Sequence, residues 1–193
     1  MKFTAAAVAT AILGTNAWAG QIGPDGQKVV VCMEESGPAA VRYRAIAVST
    51  KMYAAIGVRL DWEQSPRACK GAEAIHIELA DRTPEKLMPG ALAYALPFEG
   101  IHIRVFFDRV QKSAGPNALP CLLAHVLVHE IGHILQGSVR HAETGVMKAH
   151  WTVDDFQQMT FHSLPFTEDD TTLILRGLEV RSARLLLAAE VSR

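Results

Sequence analysis

No charge of one sign dominates this sequence. Its 19 lysines and arginines stand against 20 aspartates and glutamates over 193 residues, a formal net charge of −1. No long basic run appears, so the chain lacks the electrostatic footprint of a nucleic-acid binder. Cysteine is scarce too, with Cys32, Cys69 and Cys121 only. Three allow one bridge and leave one thiol over. A Cys32–Cys69 bridge would tie the first strand to the segment before the third, but the sequence leaves the pairing open. Cys121 reads as a small buried apolar residue. There is no internal repeat and no low-complexity linker, which leaves one domain with a real hydrophobic core. No transmembrane segment is expected beyond the N-terminal stretch.

What the N-terminus does have is a processing pattern. Lys2 is a short positive region, Phe3 to Gly14 is apolar or small, and Ala17-Trp18-Ala19 is an Ala-x-Ala site. Residues 1–19 are expected to be a signal peptide and 20–193 the mature domain, secreted or periplasmic and free of the membrane after cleavage. Only a few residues separate that site from the first strand, so no activation segment with a blocking cysteine is expected.

Periodicity then orders the chain. Lys28 to Met33 is a short β-branched run and predicts a buried strand. From Pro38 to Ile56 apolar residues recur at helical spacing, and Gly57 caps that helix. Val58 to Trp62 and Ala74 to Leu79 predict two more strands. His76 and Glu78 share the polar face of the latter and read as solvated. Ala91 to Leu96 and Ile101 to Phe107 are joined by the short Glu99-Gly100 turn and predict an antiparallel hairpin. Asp108 to Pro116 reads as a connecting loop, with Asn117 the N-cap of a helix over about 118–136 that is apolar nearly all round, hence buried. An aromatic-rich irregular segment follows. Thr167-Glu-Asp-Asp170 signals the cap of a last helix over about 168–190. The expected fold is α+β: one mixed sheet with an antiparallel edge strand, a backing helix, the 118–136 helix and a C-terminal helix.

The 118–136 helix holds His129-Glu130-x-x-His133. Residues four apart lie on one helical face, so His129 and His133 can offer two imidazoles to one metal ion. Glu130 follows the first of them, where a carboxylate can accept a proton from water. That is the arrangement of a zinc peptidase. His125 lies one turn earlier on the same stripe. Three histidines over two turns span about 12 Å of axis, while zinc binds nitrogen at about 2.1 Å, so one straight helix cannot supply all three. The glutamate selects the 129/133 pair and leaves His125 as a packed or supporting histidine. A catalytic zinc takes three protein ligands and keeps one position open. His141, beyond the Gly137 turn, is the first choice for the third. His150, His162, Glu143, Glu168 and Glu179 are the alternatives.

His129-Glu130-x-x-His133, the Gly137 turn, His141 and Gly145-Val146-Met147 together resemble a metzincin metallopeptidase, most like the matrixin-type branch. The metzincin pattern places Gly three residues after the second His and the third His three further on. Here both gaps are four, so the loop to His141 is longer. The resemblance implies that Met147 packs in a tight turn beneath the imidazoles. It also implies that Ala91 to Leu96 is the edge strand antiparallel to bound peptide, and that Ala149 to Phe166 walls the primed side of the cleft. The activity implied is a secreted, monomeric zinc endopeptidase acting on peptides or proteins, with zinc on His129, His133 and His141 and Glu130 as general base. Two other readings stay open: a gluzincin-type peptidase with a glutamate third ligand, and a non-catalytic zinc-binding protein of the zincin fold. A purely structural zinc site fits less well, since such sites usually close with four ligands, often cysteines.

Overall fold

Five strands, β1 (Gln27–Met33), β2 (Val58–Glu63), β3 (Ile75–Ala80), β4 (Ala93–Ala95) and β5 (His102–Phe106), form one sheet in the order β2-β1-β3-β5-β4. The computed structural model describes residues 27–63, 68–71, 73–115 and 117–191; residues 1–19, expected to be a signal peptide, lie outside the described residues. The first four strands in the sheet order run parallel, and β4 pairs antiparallel with β5 at the edge. This is the expected mixed sheet and hairpin.

Parallel neighbours need a crossover between them. Between β1 and β2 it is α1 (Ala39–Ala54), followed by Gly57 at φ 76°. Alternation along the strands sends Val29, Val31, Leu60, Ile75, Ile77, Ile103 and Val105 into the core beneath the helices. Cys32 is bonded to Cys69, so the bridge ties β1 to the single 3-10 turn Ala68–Lys70. Cys121 is free and only half-buried, a correction to its reading as a core residue.

The core is built around α3 (Leu119–Gln136), whose residues from Leu122 to Leu135 are all buried. By length and composition α3 could cross a membrane, but most of it is enclosed by the rest of the domain. Its N-cap is Ala118 without a side-chain bond rather than the expected Asn117, and Pro120 sits in the first turn. Two hydroxyls on α1 fasten it to α3: Ser49 Oγ donates to the Ala124 carbonyl at 3.3 Å and Tyr53 Oη to Val128 at 3.0 Å.

Two helices form where none was expected. Phe107–Ser113 is α2, so β5 ends at Phe106 and most of the expected loop is helical. Val153–Phe161 is α4, capped by a Thr152/Asp155 box inside the segment read as irregular. The last helix, α5 (Glu168–Val191), starts at the expected Thr167/Asp170 cap. Its apolar packing is confined to the first half, where Ile174 and Leu178 are buried, whereas Val180, Leu185 and Leu186 are exposed; Arg181 still ties the helix to the Gly100 and Glu73 carbonyls.

Candidate active site

The site stands where the last turns of α3 meet the chain that doubles back under them. Gly137 takes the left-handed conformation (φ 62°) and ends α3. The chain returns through His141, and a second left-handed glycine, Gly145 (φ 75°), turns it at Val146 and Met147. A β-carbon at Gly145 would stand 2.3 Å from the Pro165 carbonyl oxygen. Two backbone bonds close this turn, Ala142 N–H to Met147 O at 2.8 Å and Val146 N–H to Pro165 O at 2.9 Å. Met147 is fully buried. Its sulfur lies where a side chain at Gly132 would be, 2.7 Å from the position of a β-carbon there. The glycine between His133 and Glu130 thus makes the space for the methionine.

His129, His133 and His141 come together so that one nitrogen of each lies within 4.8 Å of the others. Among the described residues this is the only such cluster of three metal-ligating side chains. His129 donates its Nδ1–H to the Val146 carbonyl at 2.9 Å, and His133 donates its Nδ1–H to Ser138 at 3.0 Å. Both tautomers are thereby set, with the Nε2 lone pairs 3.0 Å apart and facing each other. Two unprotonated nitrogens at that distance repel unless a Lewis acid lies between them. On a tetrahedral zinc two nitrogens stand about 3.4 Å apart, so the donor set fits zinc. Burial holds all three imidazoles below the usual histidine range, His129 to about 4 with its neighbouring histidines adding to the effect. Neutral imidazole is the ligating form.

Glu130 is 7% exposed and faces the same cleft as the three histidines. Burial pushes its carboxyl up to about 8, against a bond from the Ala95 backbone N–H. Ala95 belongs to β4, the open edge of the sheet. Leu96 N–H and Leu92 C=O bond to β5, so alternation turns the N–H and C=O groups of Ala93 and Ala95 to the free edge. One of these groups is the N–H that holds Glu130. The cleft between this edge and the segment after Met147 has a volume of 550 Å³, with Val126, Trp151 and Phe156 among its apolar walls.

His125 stands apart from the cluster. It is fully buried, with Nδ1 on the Cys121 carbonyl at 2.7 Å and Nε2 accepting from Leu164 N–H at 3.0 Å. Both nitrogens are used, so it packs rather than ligates. His150 lines the cleft, and His162 ends α4. Glu143, Glu168 and Glu179 are exposed, and none of these five joins the three-histidine cluster. His76 and Glu78 lie on the other face of the sheet, beside Arg104 and the disulfide. Sequence reasoning missed the Ala95 contact to Glu130 and the Trp151 ring, which stands edge-on to His129 with centroids 5.5 Å apart. Neither has a motif, because both depend on which loop reaches the cleft.

The mixed sheet with one antiparallel edge strand, set above a buried helix, is similar to the metzincin fold of archaemetzincin. A solved example is archaemetzincin from Methanopyrus kandleri, similar over 81% of this chain and 98% of its own at a TM-score of 0.52 and 16% identity. Myroilysin is a weaker likeness, over 76% of this chain and 72% of its own at a TM-score of 0.36 and 14% identity. No protein-family model matches the sequence, and neither does any curated protein.

Proposed function

We propose that the chain is a zinc-dependent endopeptidase of metzincin type, with a matrixin-like ligand turn, that acts on peptides or proteins outside the cytoplasm. The single observation behind this reading is the pair of pre-set Nε2 lone pairs on His129 and His133, with His141 closing the set. These three residues would hold the metal. Bound there, zinc supplies a Lewis acid that polarises a carbonyl and makes water easier to deprotonate.

The chain's own residues do the rest. The free edge of β4 offers Ala93 N–H and C=O and Ala95 C=O to an extended peptide, which orients the scissile bond across the cleft. Trp151 and Phe156 present apolar surface to a side chain and restrict water. Ionised beside a bound cation, which would offset the burial that raises its pKa, the Glu130 carboxylate takes the proton from the attacking water and delivers it to the leaving amine. Ala95 N–H holds that carboxylate beside the peptide's path. The Cys32–Cys69 bridge supports export, since disulfides persist in oxidising compartments. The glutamates that a gluzincin reading would need stand outside the cluster, which favours the three-histidine set.

Glu130→Ala tests the reading. Zinc content should match the wild type, while hydrolysis of a denatured protein substrate should fall by at least about 10²-fold, the usual size of a general-base contribution. Full activity in that variant would sink the mechanism; loss of zinc from the wild type on purification without chelator would sink the metal assignment.

A further inference from the structure

His129 and His133 have their ring orientation set by hydrogen bonds to backbone carbonyls. His141 has no such partner: among the described residues nothing hydrogen-bonds its ring, which stacks on His129 and stands edge-on to His133. It must be placed by its backbone instead. The stretch leading to it is poorly fastened. Ser138 is tied at both its N–H and its carbonyl to His133, and Ala142 is tied to Met147. Between them, among the described residues, no backbone hydrogen bond fastens Val139, Arg140 or His141, and Val139 is 64% exposed. This is the stretch lengthened by two residues relative to the metzincin spacing, and extra loop length is extra conformational freedom.

One side chain takes up that slack. Arg140 donates from one terminal nitrogen to Asp170 Oδ1 at 2.9 Å and reaches Asp169 with the other at 3.5 Å. Asp170 is completely buried. It is itself immobilised by the start of α5, where its second oxygen accepts from the N–H and hydroxyl of Thr167 at 3.1 and 2.6 Å. The guanidinium is therefore anchored to a rigid helix end one residue before the third histidine. An arginine fork on a fixed carboxylate defines direction as well as distance. Resting on the metal-site reading above, we propose that Arg140, locked on Asp170, is the positioning residue that holds His141 in the ligand cluster and compensates for the longer loop.

The test is a thermodynamic cycle read as zinc affinity, so it needs no substrate. Zinc-free chain is titrated with zinc in competition with a chromophoric chelator, and the fold of every variant is checked by far-UV circular dichroism. Arg140→Gln should weaken zinc about tenfold or more, the range for groups that orient a ligand. In a His141→Ala background the same substitution should change affinity by less than about twofold, because the residue acts only through His141. Should Arg140→Gln fail to fold, Arg140→Lys replaces it in the cycle, with a smaller loss that again vanishes without His141. Wild-type affinity in the Arg140 variant would overturn the assignment. So would an equal loss in both backgrounds. A wild-type chain that binds no zinc would instead overturn the metal reading itself.

Discussion

His125 shows how little a residue type says without its partners. Three histidines lie on one stripe of α3, and only the hydrogen bonds separate their roles. His125 spends both nitrogens on the backbone, joining α3 to Leu164 in the segment that follows α4. His129 and His133 spend one nitrogen each and keep the other. His125→Phe should therefore leave zinc stoichiometry at the wild-type value. It should also destabilise the fold by about 1–3 kcal/mol, since the buried Leu164 N–H loses its acceptor. Chemical denaturation beside metal analysis checks both. Loss of zinc with unchanged stability would reverse the assignment. The pair 129/133 was legible in the sequence because Glu130 marks it; the bond to Leu164 was not, because 39 residues separate its partners.

At the scale of elements, the close crossing of α3 and α5 decides what the helices can tolerate. A β-carbon at Gly177 would lie 1.7 Å from the Leu135 carbonyl oxygen. That neighbour is backbone and cannot rotate away, so the helices would have to separate. Gly177→Ala should lower stability by about 1–3 kcal/mol or more, measured as a lower urea midpoint, although alanine favours helix elsewhere. A second element-scale prediction concerns α4. Burial raises the Asp155 carboxyl, but hydrogen bonds from Lys148 and from the Thr152 N–H and hydroxyl outweigh this and hold it below its usual range. A depressed folded pKa contributes stability above the unfolded value of about 3.9 and loses it as pH falls through the lower folded value. Asp155→Asn should be less stable than wild type at pH 6, and the gap should close below about pH 4. Urea midpoints across that range test the sign. Helices α2 and α4 escaped the sequence reading for a shared reason. Both are short, and neither shows the long apolar period that reveals a helix. The start of α2 is instead held by a neighbour, where Asp108 accepts from the N–H and hydroxyl of Thr83, whereas α4 begins at a local Thr152/Asp155 box that the reading passed over.

Across the whole molecule the sheet separates two kinds of work. On the helical side lie the core and the histidine cluster; on the open side lies the Cys32–Cys69 bridge, beside His76, Glu78 and Arg104. The bridge closes a loop with a sequence separation of 37. It limits the unfolded chain more than it shapes the site. Replacing both cysteines by alanine should cost about 2–4 kcal/mol of stability and leave zinc affinity unchanged. A large loss of zinc affinity would show that the two faces are coupled.

The sequence by itself determined which side chains α3 presents together. His129, Glu130 and His133 fall together on one helix by local periodicity alone, and Gly137 ends that helix because only a left-handed residue fits there. Strand order along the chain, the edge hairpin and the Thr167/Asp170 cap were legible for the same reason, since each depends on residues a few positions apart. Only the tertiary structure decided how the site is completed. It brings His141 to the pair, sets Met147 into the space left by Gly132, points Ala95 N–H at Glu130 and locks Arg140 onto Asp170. Each of these joins segments far apart in the chain, and their meeting depends on how the helices pack against the sheet.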